Sequence, residues 1–233
     1  MPMVRAMRLL NAVEAGTTTG SQLDALLLAD PGRLSDWATL LVLPGQCTRM
    51  AASSTAMTAV AASSTAMTAV AASSTAMTAV AASSTAMTAV AASSTAMTAV
   101  AASSTAKMAC FNSDTALNAI AASSTAMAAC RAAAQYNVQS WSENNTTAVT
   151  ISLIGTSYIV LGASRSAAAV RTDTFTTLRS GSAISLTTAN TAGASSTTAT
   201  DFNCAIPLVA PYTAKLNNTG TVTGYIGLLR CDI

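Results

Sequence analysis

Between residues 51 and 130 the apolar and polar positions recur with a period of ten. The unit AASSTAMTAV stands letter for letter at 51, 61, 71, 81 and 91, and then decays: 111–120 reads FNSDTALNAI and 121–130 reads AASSTAMAAC. Asn112, Asp114 and Asn118 enter the decayed copies, so their places tolerate water, while Leu117 and Ile120 keep the Met and Val places apolar. The third-place Ser (Ser53 through Ser123) and the sixth-place Ala never change. If ten residues complete three turns, each advances about 108°, against roughly 100° in a straight helix. On that wheel the third, sixth, seventh and tenth places share one narrow face of Ser, Ala, Met and Val. Met57, Val60, Met67, Val70, Leu117 and Ile120 are its expected core.

A β-solenoid needs turn residues such as Gly, Asn or Asp in each coil, and residues 51–106 contain none. Ala and Met favour helix, and the absence of Gly and Pro predicts an uninterrupted one. Ser, Thr and Val are weaker helix formers, so such a helix needs partner chains. Ten residues are a heptad plus three, a stammer in every unit. The expectation is therefore a strongly overwound, left-handed coiled coil of parallel helices, or local 3₁₀ tightening, with a trimer as the preferred stoichiometry. Fully helical, 51–130 would extend about 120 Å at 1.5 Å per residue.

The flanks read differently. VRAMRLLNAVEAG (4–16) is helical in pattern and ends at Gly16, a C′ residue. SQLDALLLADPG (21–32) opens on Ser21 with Asp24 three places on, like a capping box, and stops at Pro31-Gly32. RLSDWATLLVLPG (33–45) gives a third short helix, whose Trp37, Leu40 and Leu41 are the expected anchor contacts, against the chain itself, its trimer mates or a partner protein. From 136 onward, β-branched and aromatic runs such as TTAVTISLIGTSYIVLGAS (146–164), AISLTTA, FNCAIPLVA and GTVTGYIGLLRCDI alternate with Gly, Asn and Ser clusters. They predict an antiparallel β-sandwich or barrel-like head, with 189–201 as an exposed loop. The chain thus divides into a helical segment 1–48, a repeat shaft 49–135 and a β-rich head 136–233, an elongated α+β fibre.

Composition removes whole classes of chemistry. There is no histidine, which excludes Ser-His-Asp and Cys-His catalysis and His-ligated metals. No carboxylate pair, GxGxxG, Walker loop or CxxC is present. Neither an enzyme, a cofactor nor a metal is expected. The net charge of +2, from scattered Lys and Arg, gives no track for a phosphate backbone, so nucleic acid is not an expected partner. Met1–Leu10 lacks the apolar core of a signal peptide. The uncharged tract 51–106 is rich in Ser and Thr, and its apolar places are mostly Ala, so a membrane span is not expected either.

Of five cysteines, Cys110 and Cys130 occupy the Val place and face the helix interface, as small buried hydrophobes or in interchain disulfides; Cys47, at the junction of anchor and shaft, is the best candidate for a covalent link to a neighbouring chain. Cys204 and Cys231 pair within the head or fill its core. Lys107 stands in a Met place and is expected to snorkel its ammonium to water. Trp141, Tyr158, Tyr212 and Tyr225 are expected to pack inside the head, with a sugar-stacking surface as the competing role.

An N-terminal LDALLLADPGRLSDWATLL segment, a run of AASSTAMTAV decapeptides and a small β-rich end together resemble fibre proteins of tailed bacteriophages, attached at the tail, neck or collar. The resemblance covers residues 1–135, and its most specific elements are STAM and AVAAS. It implies a homotrimer on the virion, joined by its N-terminus to other virion proteins. It also implies a distal head that meets a host-surface polysaccharide or protein, or another part of the virion. The competing reading is a secreted or surface binding protein, an adhesin or an ice-binding helix, since Thr55, Thr58 and Thr65 recur on the outward face.

Overall fold

The computed structural model of the chain describes residues 2–133, 136–144, 149–151, 157–165, 171–178, 184–188, 205–216 and 221–232. Two compact units are present, Met1–Ala129 and Cys130–Ile233.

In the first unit, α1 (Pro2–Glu14), α2 (Gly20–Ala29) and α3 (Pro31–Leu40) precede a series of short helices, one per decapeptide. These are α4 (Pro44–Ala52), α5 (Ser54–Ala62), α6 (Ser64–Ala72), α7 (Ser74–Ala82), α8 (Ser84–Ala92), α9 (Ser94–Ala102), α10 (Ser104–Phe111), α11 (Asp114–Ala122) and α12 (Ser124–Ala132), the last of which runs past Ala129. The third-place Ser breaks each helix from the next. Its backbone is extended, from Ser53 (φ −91, ψ 111) to Ser123 (φ −109, ψ 117). One residue out of helical register is enough to turn the chain sharply: α5 and α6 meet at 104°, α7 and α8 at 100°. Each helix then packs on the one three places earlier, α7 on α4, α8 on α5, α9 on α6, α10 on α7 and α11 on α8. Three decapeptides make one coil. This is an α-solenoid, a stack in which each repeat meets its neighbours within one chain.

The uninterrupted shaft and its coiled-coil packing are thereby corrected. The helical state is as expected; the continuity is not. Lack of Gly and Pro permits a long helix, but Ser is a strong N-cap, and a cap every ten residues allows a break every ten. The cost of breaking is offset because the turn brings apolar faces of one chain together. Stacked coils rise by roughly one interhelical distance, ~8–10 Å, so the eight units of 51–130 stand about 25 Å tall rather than about 120 Å.

The first three helices close one end of the stack. Gly16 (φ 71) takes the left-handed conformation that ends α1. For α2 the expected box at Ser21 and Asp24 is corrected: Thr19 is the N-cap, and its partner is Gln22, whose Oε1 accepts the Thr19 N–H at 2.8 Å. Asp24 is left to serve elsewhere. Pro31 begins α3 behind the Asp30 cap instead of merely ending α2. Arg5 Nε meets Asp36 Oδ2 at 2.7 Å, and Arg49 reaches both Glu14 and Asn11. Trp37, Leu40 and Leu41 are fully buried inside this cap. Of the readings open to them, packing against the chain itself is the one observed, because α3 has α1, α2 and α6 as neighbours within the chain.

The second unit contains β1 (Tyr136–Asn144), β2 (Val149–Ile151), β3 (Ser157–Arg165), β4 (Arg171–Leu178), β5 (Ile184–Thr188), β6 (Ile206–Leu216) and β7 (Thr221–Arg230). They form one sheet in the order β1-β7-β3-β6-β4-β5, with β2 also on β6, and every pairing is antiparallel. One edge of β6 is shared: Ile206–Val209 pairs with β3, and Tyr212–Ala214 with β2. Pro211, which has no N–H to give a ladder, lies at the changeover. Tyr158, Ile159, Val160 and Leu161 are buried in succession, so both faces of central β3 are covered, as a continuous apolar strand requires.

Candidate functional site: the stacked repeats

The feature repeated most often is a hydroxyl, and its geometry explains why the third-place Ser never varies. Ser93 Oγ accepts the Ala96 N–H at 3.2 Å, capping α9, and donates to the Ala61 carbonyl of the coil below at 2.6 Å. The same pair of bonds recurs along the stack. Ser73 donates to Leu41, Ser83 to Ala51, Ser103 to Ala71, Ser113 to Ala81 and Ser123 to Ala91, always 32 residues back at 2.5–2.6 Å. The acceptor is a first-place carbonyl in the last turn of its helix, one of the groups a short helix leaves unpaired. A single side chain thus satisfies the start of one helix and the end of another, one coil away.

Ser63 lies too near the cap to find such a carbonyl, and Asp24 replaces it. Asp24 Oδ1 accepts from Ser63 Oγ at 2.8 Å, Thr65 N–H at 2.8 Å and Ser64 Oγ at 3.3 Å. The Thr65 backbone bond, followed by that to Ser63, holds the Asp24 carboxyl below its ordinary range, against a smaller opposing effect of desolvation.

The side chains between these bonds form the core. Met57, Val60, Met67, Val70, Leu117 and Ile120 are buried, together with the first-place Ala, which the helical wheel left out. Their partners are coils of the same chain, so burying this face needs no second chain. Cys47 shows that α4 is a disguised repeat. It stands in the Met place and Met50 in the Val place, while Leu43 and Pro44 replace the two Ser. The alignment was available in the sequence, but Pro-Gly masks it.

Of the two readings of Cys110 and Cys130, the small buried hydrophobe is the one observed; Cys47 is likewise buried within its own chain, so none of the three thiols is presented for an interchain disulfide. Cys47 Sγ donates to the Leu41 carbonyl at 3.3 Å. Burial pushes the Cys130 thiol up to about 12, against a smaller lowering by Arg131. Cys231 is buried beside β3, its N–H bonded to the Ser157 carbonyl at 2.9 Å. Cys204 lies outside the described residues, as does loop 189–201. Lys107 is fully buried, so its expected snorkelling is corrected too. Tyr158 is buried in β3; Trp141, Tyr212 and Tyr225 sit on β1, β6 and β7.

Among the described residues, no three of Cys, Asp and Glu gather as a metal-holding group. No single described helix is long and apolar enough to cross a membrane. The chain matches no protein-family model and no curated protein.

Proposed function

We propose that the chain is a structural component of a tailed-bacteriophage particle, a short homotrimeric fibre of the tail, neck or collar. In this reading residues 1–48 face another virion protein. The sheet, closed as a sandwich or against the two other copies, is the head that meets a host-surface polysaccharide or protein. The observation that carries it is the use of the repeat's own groups. The Ser hydroxyl is engaged twice inside the stack, and the Ala, Met and Val faces are buried there. A unit repeated this faithfully with nothing left for chemistry is selected for architecture. Its compact coils make it a stiff pedestal of about 25 Å rather than a long arm.

Two measurements test this. The mass of the intact assembly, taken with and without reductant, is expected to be three chains in both, because the described thiols are buried; a monomer in both refutes the trimer. Antibodies against residues 136–233 are expected to decorate phage particles, and their failure to do so refutes the virion assignment. The ice-binding alternative predicts thermal hysteresis. It has little surface to act with, since only every third unit faces the same side. Thr58 and Thr88 share one side, Thr68 and Thr98 another, and Met108 takes the place that would follow Thr78.

A further inference from the structure

The cap holds a cleft of about 310 Å3 that the stacking does not use. Its floor is apolar, with Leu9 and Ala12 from α1 and Leu26 from α2; Arg5, Arg8 and Arg33 stand around it, with Asp36 as the one acidic lining residue. Arg5, Arg8, Leu9 and Ala12 follow the i, i+3, i+4, i+7 spacing of one helix face, so α1 presents cation and hydrocarbon side by side. Two of the three guanidiniums are held in place: Arg5 by Asp36, whose side chain is 5% exposed, and Arg33 by Asp30 at 3.4 Å. Arg8 is exposed and pairs with no carboxylate among the described residues. Val4, one turn before Arg8 on the same side of α1, is 46% exposed and extends the apolar surface beside it.

We infer that this cleft receives an acidic peptide segment of a partner protein, with a carboxylate set among the arginines and a neighbouring aliphatic side chain on the Leu9–Leu26 floor. Charge complementarity chooses the carboxylate, since Arg5 and Arg33 are matched by Asp36 and Asp30 while Arg8 has no carboxylate among the described residues, and arginine's planar fork suits one. The floor chooses a peptide over a nucleic acid, because no aromatic lines the cleft to stack a base. The volume lies near the bottom of the ~300–1,000 Å3 range of ligand pockets, which fits one or two side chains rather than a whole domain. The inference rests on the proposed attachment role of residues 1–48 for where the partner lies; the binding itself does not depend on it.

The test uses the full chain and two probes, acetyl-Leu-Asp-Leu-amide and its Asn counterpart, with Leu methyl groups followed by NMR. The Asp peptide is expected to bind in the millimolar range and to shift Leu9 and Leu26. Its affinity should fall about fivefold in Arg8→Gln and by a similar factor on replacing Asp by Asn. Arg8→Gln should leave the helical circular dichroism unchanged, because Arg8 is exposed. Equal binding of the two peptides, an Arg8→Gln variant that binds like wild type, or shifts confined to other leucines overturns the inference. So does tighter occupation of the cleft by an oligothymidylate, which would make it a polyanion patch. Failure here with antibody-decorated particles leaves the virion assignment standing; binding without decoration does the reverse.

Discussion

Replacing Ser93 by Ala separates a solenoid from a continuous helix by the sign of the effect. In the stack, Ser93→Ala removes the cap on α9, worth about 1 kcal/mol, and the bond to the Ala61 carbonyl, worth ~0.5–1.5 kcal/mol. The carbonyl stays partly buried and loses its partner, so the two losses add to about 2 kcal/mol. For a unit of this size that lowers Tm by roughly 5–10 °C. In an uninterrupted helix the same change replaces a mediocre helix former by the best one and would stabilise by about 0.5 kcal/mol. Ser94→Ala is the control, since Ser94 is exposed and its hydroxyl makes no bond in the stack. Urea and thermal unfolding of the full chain, followed by helical circular dichroism, give both numbers. A Ser93→Ala chain as stable as Ser94→Ala, or more stable than wild type, refutes the bridging role of the third-place Ser.

Four further outcomes follow from particular contacts. Lys107→Met restores the residue of the five exact copies at a fully buried place and should raise the urea midpoint, because a buried ammonium carries a desolvation cost that a thioether does not; a lower midpoint would show that the ammonium's own contacts outweigh that cost. Gly20→Ala would set a Cβ 2.5 Å from the Ala62 Cβ and 2.7 Å from the Ala59 carbonyl oxygen, so a loss of about 1–3 kcal/mol is expected. Gly45→Ala, with nothing within 4 Å, should be tolerated. The lowered Asp24 carboxyl contributes stability that is complete above its ordinary value of 3.8 and is lost as pH falls through the folded value below it. Wild type should therefore exceed Asp24→Asn at pH 6 and converge with it toward pH 2; a constant gap would show that the ionised carboxylate is not the cause. Cys47 and Cys130 should resist thiol alkylation in the native chain and react fully in urea, as mass spectrometry would show.

The places of the repeat's core were legible because its decayed copies act as an internal mutagenesis experiment. Asn112, Asp114 and Asn118 mark water, and Leu117 and Ile120 mark the interior. What those faces pack against was not legible. A face of Ser, Ala, Met and Val suits a neighbour helix from the same chain as well as one from another, and only the turn at Ser decides between them. That turn is invisible to helix propensity, which counts Gly and Pro as breakers and Ser as merely weak. The invariance of Ser53 through Ser123 was the available sign, read as packing when it was hydrogen bonding. Trp37, Leu40 and Leu41 were recognisable as apolar surface, but nothing in their spacing told that α1, α2 and α6 would cover them. The β unit was legible as antiparallel strands from its β-branched runs; its strand order depends on pairings far apart in sequence, which no local pattern encodes.

Because the exact copies share one sequence, and Ser83 and Ser93 bond to identical units three places back, a decapeptide can be gained or lost among those copies without leaving a mismatched joint. Replication slippage in a gene of such copies would be absorbed silently by the fold. What changes is phase. One unit more turns the exit of the chain by about a third of a revolution and lifts it ~3 Å, and three units restore the bearing one full coil higher. Copy number in this protein is therefore a setting of direction before it is one of length, and natural variants should differ most freely by threes.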